Sequence, residues 1–311
     1  MTKTEKKPEI ISDILNIIEN IKKGDKFFLR NIVITPVYLE FELGERNDRF
    51  TTLDEALSKK YSIKIMDNQN IDKVEIENRS PYNFFVMDGE QLVGGLQNRM
   101  FVHSFTVEPN RKDKYDVRCI EAGRWQGSNR IFNSQNDLSY TKLRLLNLYY
   151  TRTKNNKSQE IIWKEIENKS KSLNYYSKTS SLTDLNRFMD NFTEDYIKSY
   201  NYSGENGYIV EHNDNLISIE ILNNNSIVQK IYKKMLKSYI YDAFDLENEK
   251  PKNLKDIKRE IPNLRGENFR KTNIETEYRL YNDKIEGKFY RFKNELFHLT
   301  LFNNRKIPQN A

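Results

Sequence analysis

The sequence predicts an α+β fold: a mainly β N-terminal part, central helices, and a C-terminal β meander that joins one mixed or antiparallel core. Three observations predict it. Apolar residues recur at strand spacing through most of the first 125 positions. Between 139 and 244 the apolar period lengthens to that of a helix, interrupted by one strand pair. From 274 onward alternation returns.

The elements follow in order. Pro8 opens a helix whose Ile11, Ile14, Leu15, Ile18 and Ile21 make one apolar face, with Gly24 placed to stop it. The segments "FFLRNIVITPVYL", "SIKIM", "KVEIEN" and "FFVMD" read as strands. Between the first two, "TTLDEAL" offers Thr52 and Glu55 as the capping box of a short helix. Phe101, His103, Phe105 and Val107 alternate as one half-buried strand, and "KYDVRCIEAGRW" reads as another that ends at Gly123. Helices follow at "SYTKLRLLNLYYTR", "SQEIIWKEIENKSKSL" and "SLTDLNRFMDNFTEDYIKSY". "GYIVEH" and "LISIEIL" form a strand pair across "NDN", before a helix at "SIVQKIYKKMLKSYIYDAF". Positions 245–273 are polar and carry Pro251 and Pro262, which reads as a loop or insertion with at most one short helix. "ETEYRLYND", "KIEGKFYRF" and "ELFHLTLF" complete the meander. The expected organisation is a flexible tail over 1–9, a single α+β domain over 10–303 and a second tail over 304–311; a split into two domains near 135 is the alternative.

Composition narrows the function. The excess of 51 basic over 45 acidic residues gives a net charge of +6, which permits an anionic ligand. Lys and Arg are dispersed among acids without a compact basic stripe, which disfavours nucleic acid. No run approaches the ~18 apolar residues of a membrane helix, so no membrane partner and a cytoplasmic location are expected. Cys119 is the single cysteine and excludes an intrachain disulfide. Walker-type, nucleophile-elbow and Rossmann motifs do not occur. His103, His212 and His298 are too scattered to assign a metal.

Chemistry concentrates in two runs. "MDGEQLVGGLQNR" holds Asp88, Glu90, Gln97, Asn98 and Arg99 around Gly89, Gly94 and Gly95. Asp88-Gly89 is also a hairpin signal in its own right. Glycines let a backbone approach a ligand, amides read hydroxyls, and guanidinium forks onto phosphate. Asp88 and Glu90 can act as base or acid, or hold a divalent metal that the chemistry allows without requiring. "CIEAGRWQG" adds Glu121, Arg124 and Trp125, whose indole can stack on a base. The competing reading is structural: an ion pair from Glu121 to Arg124 or Arg99, with Trp125 in the core.

These two runs together resemble the ARG-and-rhodanese-phosphatase-associated protein family, where ARG denotes ADP-ribosylglycohydrolase. Its DGE-x-L-x-G-x-x-QNR and C-x-E-x-GRW runs are both matched here, in order. The likeness continues through "TTLDEAL", "WKEI", "SLTDL", "LKSYIYDAF" and "ELFHLTLF". Glu220 and Leu222 depart from the Asp and Phe expected there, and 245–273 looks longer than usual.

The resemblance implies a nucleotide-processing protein for ADP-ribose or a related NAD-derived compound, acting by hydrolysis or group transfer. The alternative is a non-catalytic nucleotide-binding sensor or regulator in a stress or defence system. The implied catalytic set is Glu121, Glu90 and Asp88, with Glu121 as general base. Arg99 and Arg124 would hold a diphosphate, Trp125 would stack, and Gln97 and Asn98 would read hydroxyls. Gly94, Gly95 and His298 complete the expected ligand contacts.

Overall fold

The computed structural model describes residues 9–40, 49–68, 70–124, 130–244, 246 and 251–304. The expected tails therefore fall almost wholly outside the described residues, as do Trp125 and part of the 245–273 stretch. The chain forms two compact units, one from 1–44, 204–225 and 250–306, the other from 45–203, 226–249 and 307–311.

Helix α1 (Glu9–Asn20) leads into β1 (Ile21–Lys23), β2 (Phe27–Leu29) and β3 (Ile32–Leu39), all in the first unit. The second unit runs through β4 (Phe50–Thr52), α2 (Leu53–Ser58), β5 (Ile63–Asp67), β6 (Lys73–Asn78), β7 (Asn83–Val86), β8 (Glu90–Gly94), β9 (Arg99–Phe101), β10 (Phe105–Val107), β11 (Arg111–Cys119) and β12 (Phe132–Leu138). Its helices follow as α3 (Thr141–Arg152), α4 (Ser158–Ser172) and α5 (Leu182–Ser199). The chain returns to the first unit for β13 (Gly207–His212) and β14 (Asn215–Leu222), and adds α6 (Asn225–Ala243) to the second. Helix α7 (Ile257–Glu260), a short 3-10 helix, β15 (Arg265–Lys271), β16 (Glu275–Tyr281), β17 (Ile285–Phe292) and β18 (Glu295–Asn303) end the first unit.

In the first unit one nine-stranded antiparallel sheet runs β1-β3-β13-β14-β18-β17-β16-β15, with β2 paired to β3. Of the five residues assigned to the α1 stripe, Ile11, Ile14 and Ile18 are buried on it, Leu15 is only partly buried, and Ile21 lies past the helix end in β1. Ile10, Ile11, Ile14, Ile17 and Ile18 bury against Ile219, Ile221, Leu299 and Leu301 on one face of that sheet. Each such side chain contributes about 1.5–3 kcal/mol by area removed from water.

The second unit holds two sheets, β12-β8-β9-β11-β6-β5 and β10-β7-β4. One core gathers Leu53, Ile65, Phe84, Leu92, Phe101 and Phe132 from the strands and α2. Another gathers Leu143, Leu146, Ile162, Ile166, Leu185 and Met189 from α3, α4 and α5. The α+β architecture and the closing meander are thus present.

Several local expectations change. The alternating run from Phe101 to Val107 is two strands, because β9 pairs with β8 and β11 while β10 pairs with β7. Asp88-Gly89 makes a turn but no hairpin, since β7 and β8 belong to different sheets. Thr52 precedes α2 without a side-chain cap bond; its neighbour Thr51 reaches Glu55 instead, at 3.2 Å. The polar stretch before 273 contains a paired strand, β15, whose charged residues suit a sheet edge. No helix among the described residues is long and apolar enough to cross a membrane.

Candidate functional site

Most of the predicted site residues lie in the second unit, in two separate networks. The first joins the amide–guanidinium triplet to the Glu121 turn. Strand β11 pairs with β9 at Cys119–Arg99, which carries the chain after Cys119 alongside the turn before Arg99. The Arg124 guanidinium then clasps that turn. Its Nε donates to Glu121 Oε2 at 2.9 Å, Nη1 to the Gly95 carbonyl at 2.9 Å, and Nη2 to Asn98 Oδ1 at 3.0 Å and the Gly94 carbonyl at 3.3 Å.

Glu121 accepts from both sides. Its Oε2 also takes the Asn98 backbone N–H at 3.1 Å, and Oε1 takes the Thr179 hydroxyl at 2.9 Å. Its carbonyl accepts from Gln97 Nε2 at 2.8 Å, while Gln97 Oε1 accepts from Arg99 Nη1 at 3.1 Å. Arg99 also donates to Cys119 Sγ. Burial pulls the Arg99 guanidinium down from its ordinary range, against the opposing pull of Asp67, Asp72 and Glu121.

Gln97, Asn98, Arg99, Glu121 and Arg124 are therefore neighbours, as the two sequence runs suggested. The diphosphate and hydroxyl contacts expected of them are occupied by one another. Buried polar groups are stable only when paired, and this lattice pairs them while pinning a glycine turn.

Gly95 shows how tight that turn is. It sits at φ +54°, and a Cβ would lie 2.6 Å from Asp67 Oδ2 and 2.6 Å from the Phe132 ring. Asp67 Oδ2 cannot retreat freely, because it accepts the Leu96 N–H at 2.9 Å. Gly95→Ala is expected to lower stability by about 1–3 kcal/mol, read from the midpoint of urea unfolding. A midpoint equal to wild type would show that the turn relaxes at no cost.

The second network holds the acidic pair of the DGE run. Asp88 is buried against Arg144 of α3 and against Ser104. Glu90, at the start of β8, is buried and meets the ammonium of Lys234 from α6. Lys234 meets Asp54 of α2 at the same time, and Asp54 accepts the Ser134 hydroxyl. Burial alone would raise the Asp54 carboxyl, but Lys234 and Ser134 together hold it below its ordinary value. Asp88 and Glu90, the carboxylates considered for a metal, each face a cation of their own unit.

Asp54 is the point where this network reaches a hollow. An open cleft of about 730 Å³ is lined by Asp54, Glu55, Lys59, Ser134, Asn136 and Lys230, among others. Glu55 binds both amines at its edge, Lys59 at 2.7 Å and Lys230 at 2.6 Å. Reasoning on the sequence missed Asp54, Lys230, Lys234 and Arg144. A signal existed for two of them. Lys234 follows Ile231 by one helical turn on the apolar stripe of α6, and Arg144 stands between Leu143 and Leu145. Long basic side chains on such stripes imply buried acidic partners.

His298 belongs to the first unit, on β18, and is fully buried. Its Nε2 lies 3.0 Å from Glu220 Oε1. Glu220, the departure from the expected aspartate, thus engages the expected histidine.

Comparison with known proteins adds one finding. The family model of the ARG and Rhodanese-Phosphatase-superfamily-associated Protein domain matches residues 20–302. No curated protein and no solved structure gives a significant match.

Proposed function

The chain belongs to the ARG and Rhodanese-Phosphatase-superfamily-associated Protein family, and on that premise we propose that it binds a phosphorylated nucleotide of the ADP-ribose type in the cleft beside Asp54. One observation carries the proposal: a cleft of about 730 Å³ whose lining includes amines, carboxylates, amides and hydroxyls. That volume falls within the 300–1,000 Å³ usual for small-ligand sites. Lys230 and Lys59 would meet the phosphates, exchanging Glu55 for a stronger anion. Asp54 and Asn136 would take ribose hydroxyls. Asp54 is kept ionised at neutral pH by Lys234, so it accepts hydrogen bonds without donating one.

The chemistry favours binding over turnover. A carboxyl held below its ordinary range is a weak base at neutral pH. Glu121, the base expected from the sequence, has both oxygens engaged. Hydrolysis or group transfer is the second reading, with the Ser134 hydroxyl, which donates to Asp54 in the cleft, as its candidate nucleophile.

The test is calorimetric titration with ADP-ribose and NAD, paired with chromatographic detection of products. Lys230→Ala and Asp54→Asn are each expected to weaken binding about tenfold, the loss of one charge-assisted hydrogen bond. Absence of binding by wild type, or unchanged affinity in both variants, sinks the proposal. Product formation that disappears in Asp54→Asn promotes the second reading.

A further inference from the structure

The nine-stranded sheet of the first unit has one apolar face and one polar face. An antiparallel sheet with one face on the core ordinarily shows its polar face to water. Here the polar positions near the sheet centre are buried. Glu220, His298 and Thr300 each have 0% exposure.

Register explains their meeting. His298 and Thr300 are two residues apart on β18 and so point to one side. Glu220 on β14 stands directly opposite Thr300. Their neighbours Ile219, Ile221, Leu299 and Leu301 point the other way, into the core under α1.

The three polar atoms form a nearly equilateral triangle. His298 Nε2 to Glu220 Oε1 is 3.0 Å, Thr300 Oγ1 to Glu220 Oε1 is 3.0 Å, and Thr300 Oγ1 to His298 Nε2 is 2.9 Å. An octahedral ion with bonds of about 2.1 Å holds adjacent ligand atoms about 3.0 Å apart. A tetrahedral zinc site at similar bond lengths would need about 3.3–3.4 Å. The donor set is one imidazole nitrogen, one carboxylate oxygen and one hydroxyl oxygen, which suits a borderline-hard divalent ion such as Mn²⁺.

We infer that Glu220, His298 and Thr300 form one face of an octahedral divalent-cation site in the C-terminal sheet. Two tyrosines and a lysine stand at the paired positions. Tyr290, opposite His298, already gives its hydroxyl to Glu275 at 2.6 Å, and Tyr208, opposite Glu220, gives its own to Glu205 at 2.8 Å. Lys288 stands opposite Thr300 and is the adjacent cation the site has to tolerate.

The inference is independent of the nucleotide cleft, and its test uses the metal alone. Chelator-stripped full-length protein is titrated with Mn²⁺ under electron paramagnetic resonance, with the melting temperature measured in parallel. One saturable ion per chain, nitrogen hyperfine coupling and a raised melting temperature are expected. His298→Gln should remove the nitrogen coupling. Glu220→Gln, which keeps the size and an acceptor oxygen, should weaken Mn²⁺ at least tenfold. Circular dichroism establishes that each variant folds. If either does not, Thr300→Val is decisive: weaker Mn²⁺ supports the site and unchanged affinity overturns it. Failure of wild type to bind Mn²⁺ saturably, or binding with unaltered nitrogen coupling in His298→Gln, overturns the inference outright.

Discussion

Replacing Lys234 with methionine is expected to destabilise the protein by about 3–5 kcal/mol at pH 7. The Lys234 ammonium is buried and bridges two carboxylates, Glu90 from β8 and Asp54 from α2. Removing one cation strands two acids, of which Glu90 has no route to water. Methionine has nearly the volume of lysine, so lost charge, and not a cavity, dominates the effect. Adding Glu90→Gln to Lys234→Met is expected to recover much of the loss, because a neutral amide in that place removes the uncompensated charge. Urea unfolding of the single and double variants measures both.

The same network makes a pH prediction with a definite sign. The Asp54 carboxyl is held below its ordinary value of 3.8 in the folded state. Its contribution is therefore present above that value and lost as pH falls through the folded one. Lys234 is raised above its ordinary 10.5, so its contribution is present throughout the range below that. Burial, with the charge of Asp54, pushes Glu90 up even though Lys234 pulls the other way. In Lys234→Met the pull is gone and both acids are forced upward. Protonating them relieves the variant, so its deficit against wild type should shrink as pH falls from 7 toward 4. A deficit of equal size at both pH values would show that packing, not charge, sets the effect.

The contrast between what the sequence disclosed and what it hid follows the range of the interactions. The α1 stripe was legible in Ile11, Ile14 and Ile18, which repeat within one helix and report a local burial, whereas Ile21, on the same period, falls in β1. The strand from Phe101 to Val107 was misjudged because a break in hydrogen-bond partners leaves no trace in alternation. Strand β15 was missed because an edge strand is allowed to be polar, and polarity reads as loop. At the site, the proximity of the Gln97–Arg99 turn to Glu121 and Arg124 was suggested by two glycine-punctuated runs. Their mutual saturation was not, since the count of hydrogen bonds on Arg124 depends on backbone carbonyls that no motif records. Lys234 was harder still. Its partners lie 144 and 180 positions away in the chain, and only the fold brings them together.

Asp88 offers the second large effect, and it separates two roles the sequence left open. If Asp88 served only as a turn former, Asp88→Asn would be close to neutral, since asparagine favours the same turns. The structure gives it more to do. Asp88 Oδ1 accepts from Arg144 Nη2 at 3.1 Å and Oδ2 from Arg144 Nε at 3.3 Å, a two-point clasp with Arg144 fully buried. Ser104 shares Oδ1 with Arg144, donating to it at 3.2 Å, and accepts the Asp88 N–H at 3.0 Å. Gly89 sits at φ +84° with the Arg144 side chain packed so closely that a Cβ would lie 2.7 Å from its Cγ. Turn and ion pair are therefore one construction. Asp88→Asn is expected to cost about 3–5 kcal/mol, because it takes a carboxylate away from a buried guanidinium. Arg144→Met should cost a similar amount, and the double variant should cost less than the sum of the two. A coupling energy of about 1–3 kcal/mol in that cycle is the expected signature of residues in direct contact. Strict additivity, or a near-neutral Asp88→Asn, would return Asp88 to the status of an ordinary turn residue.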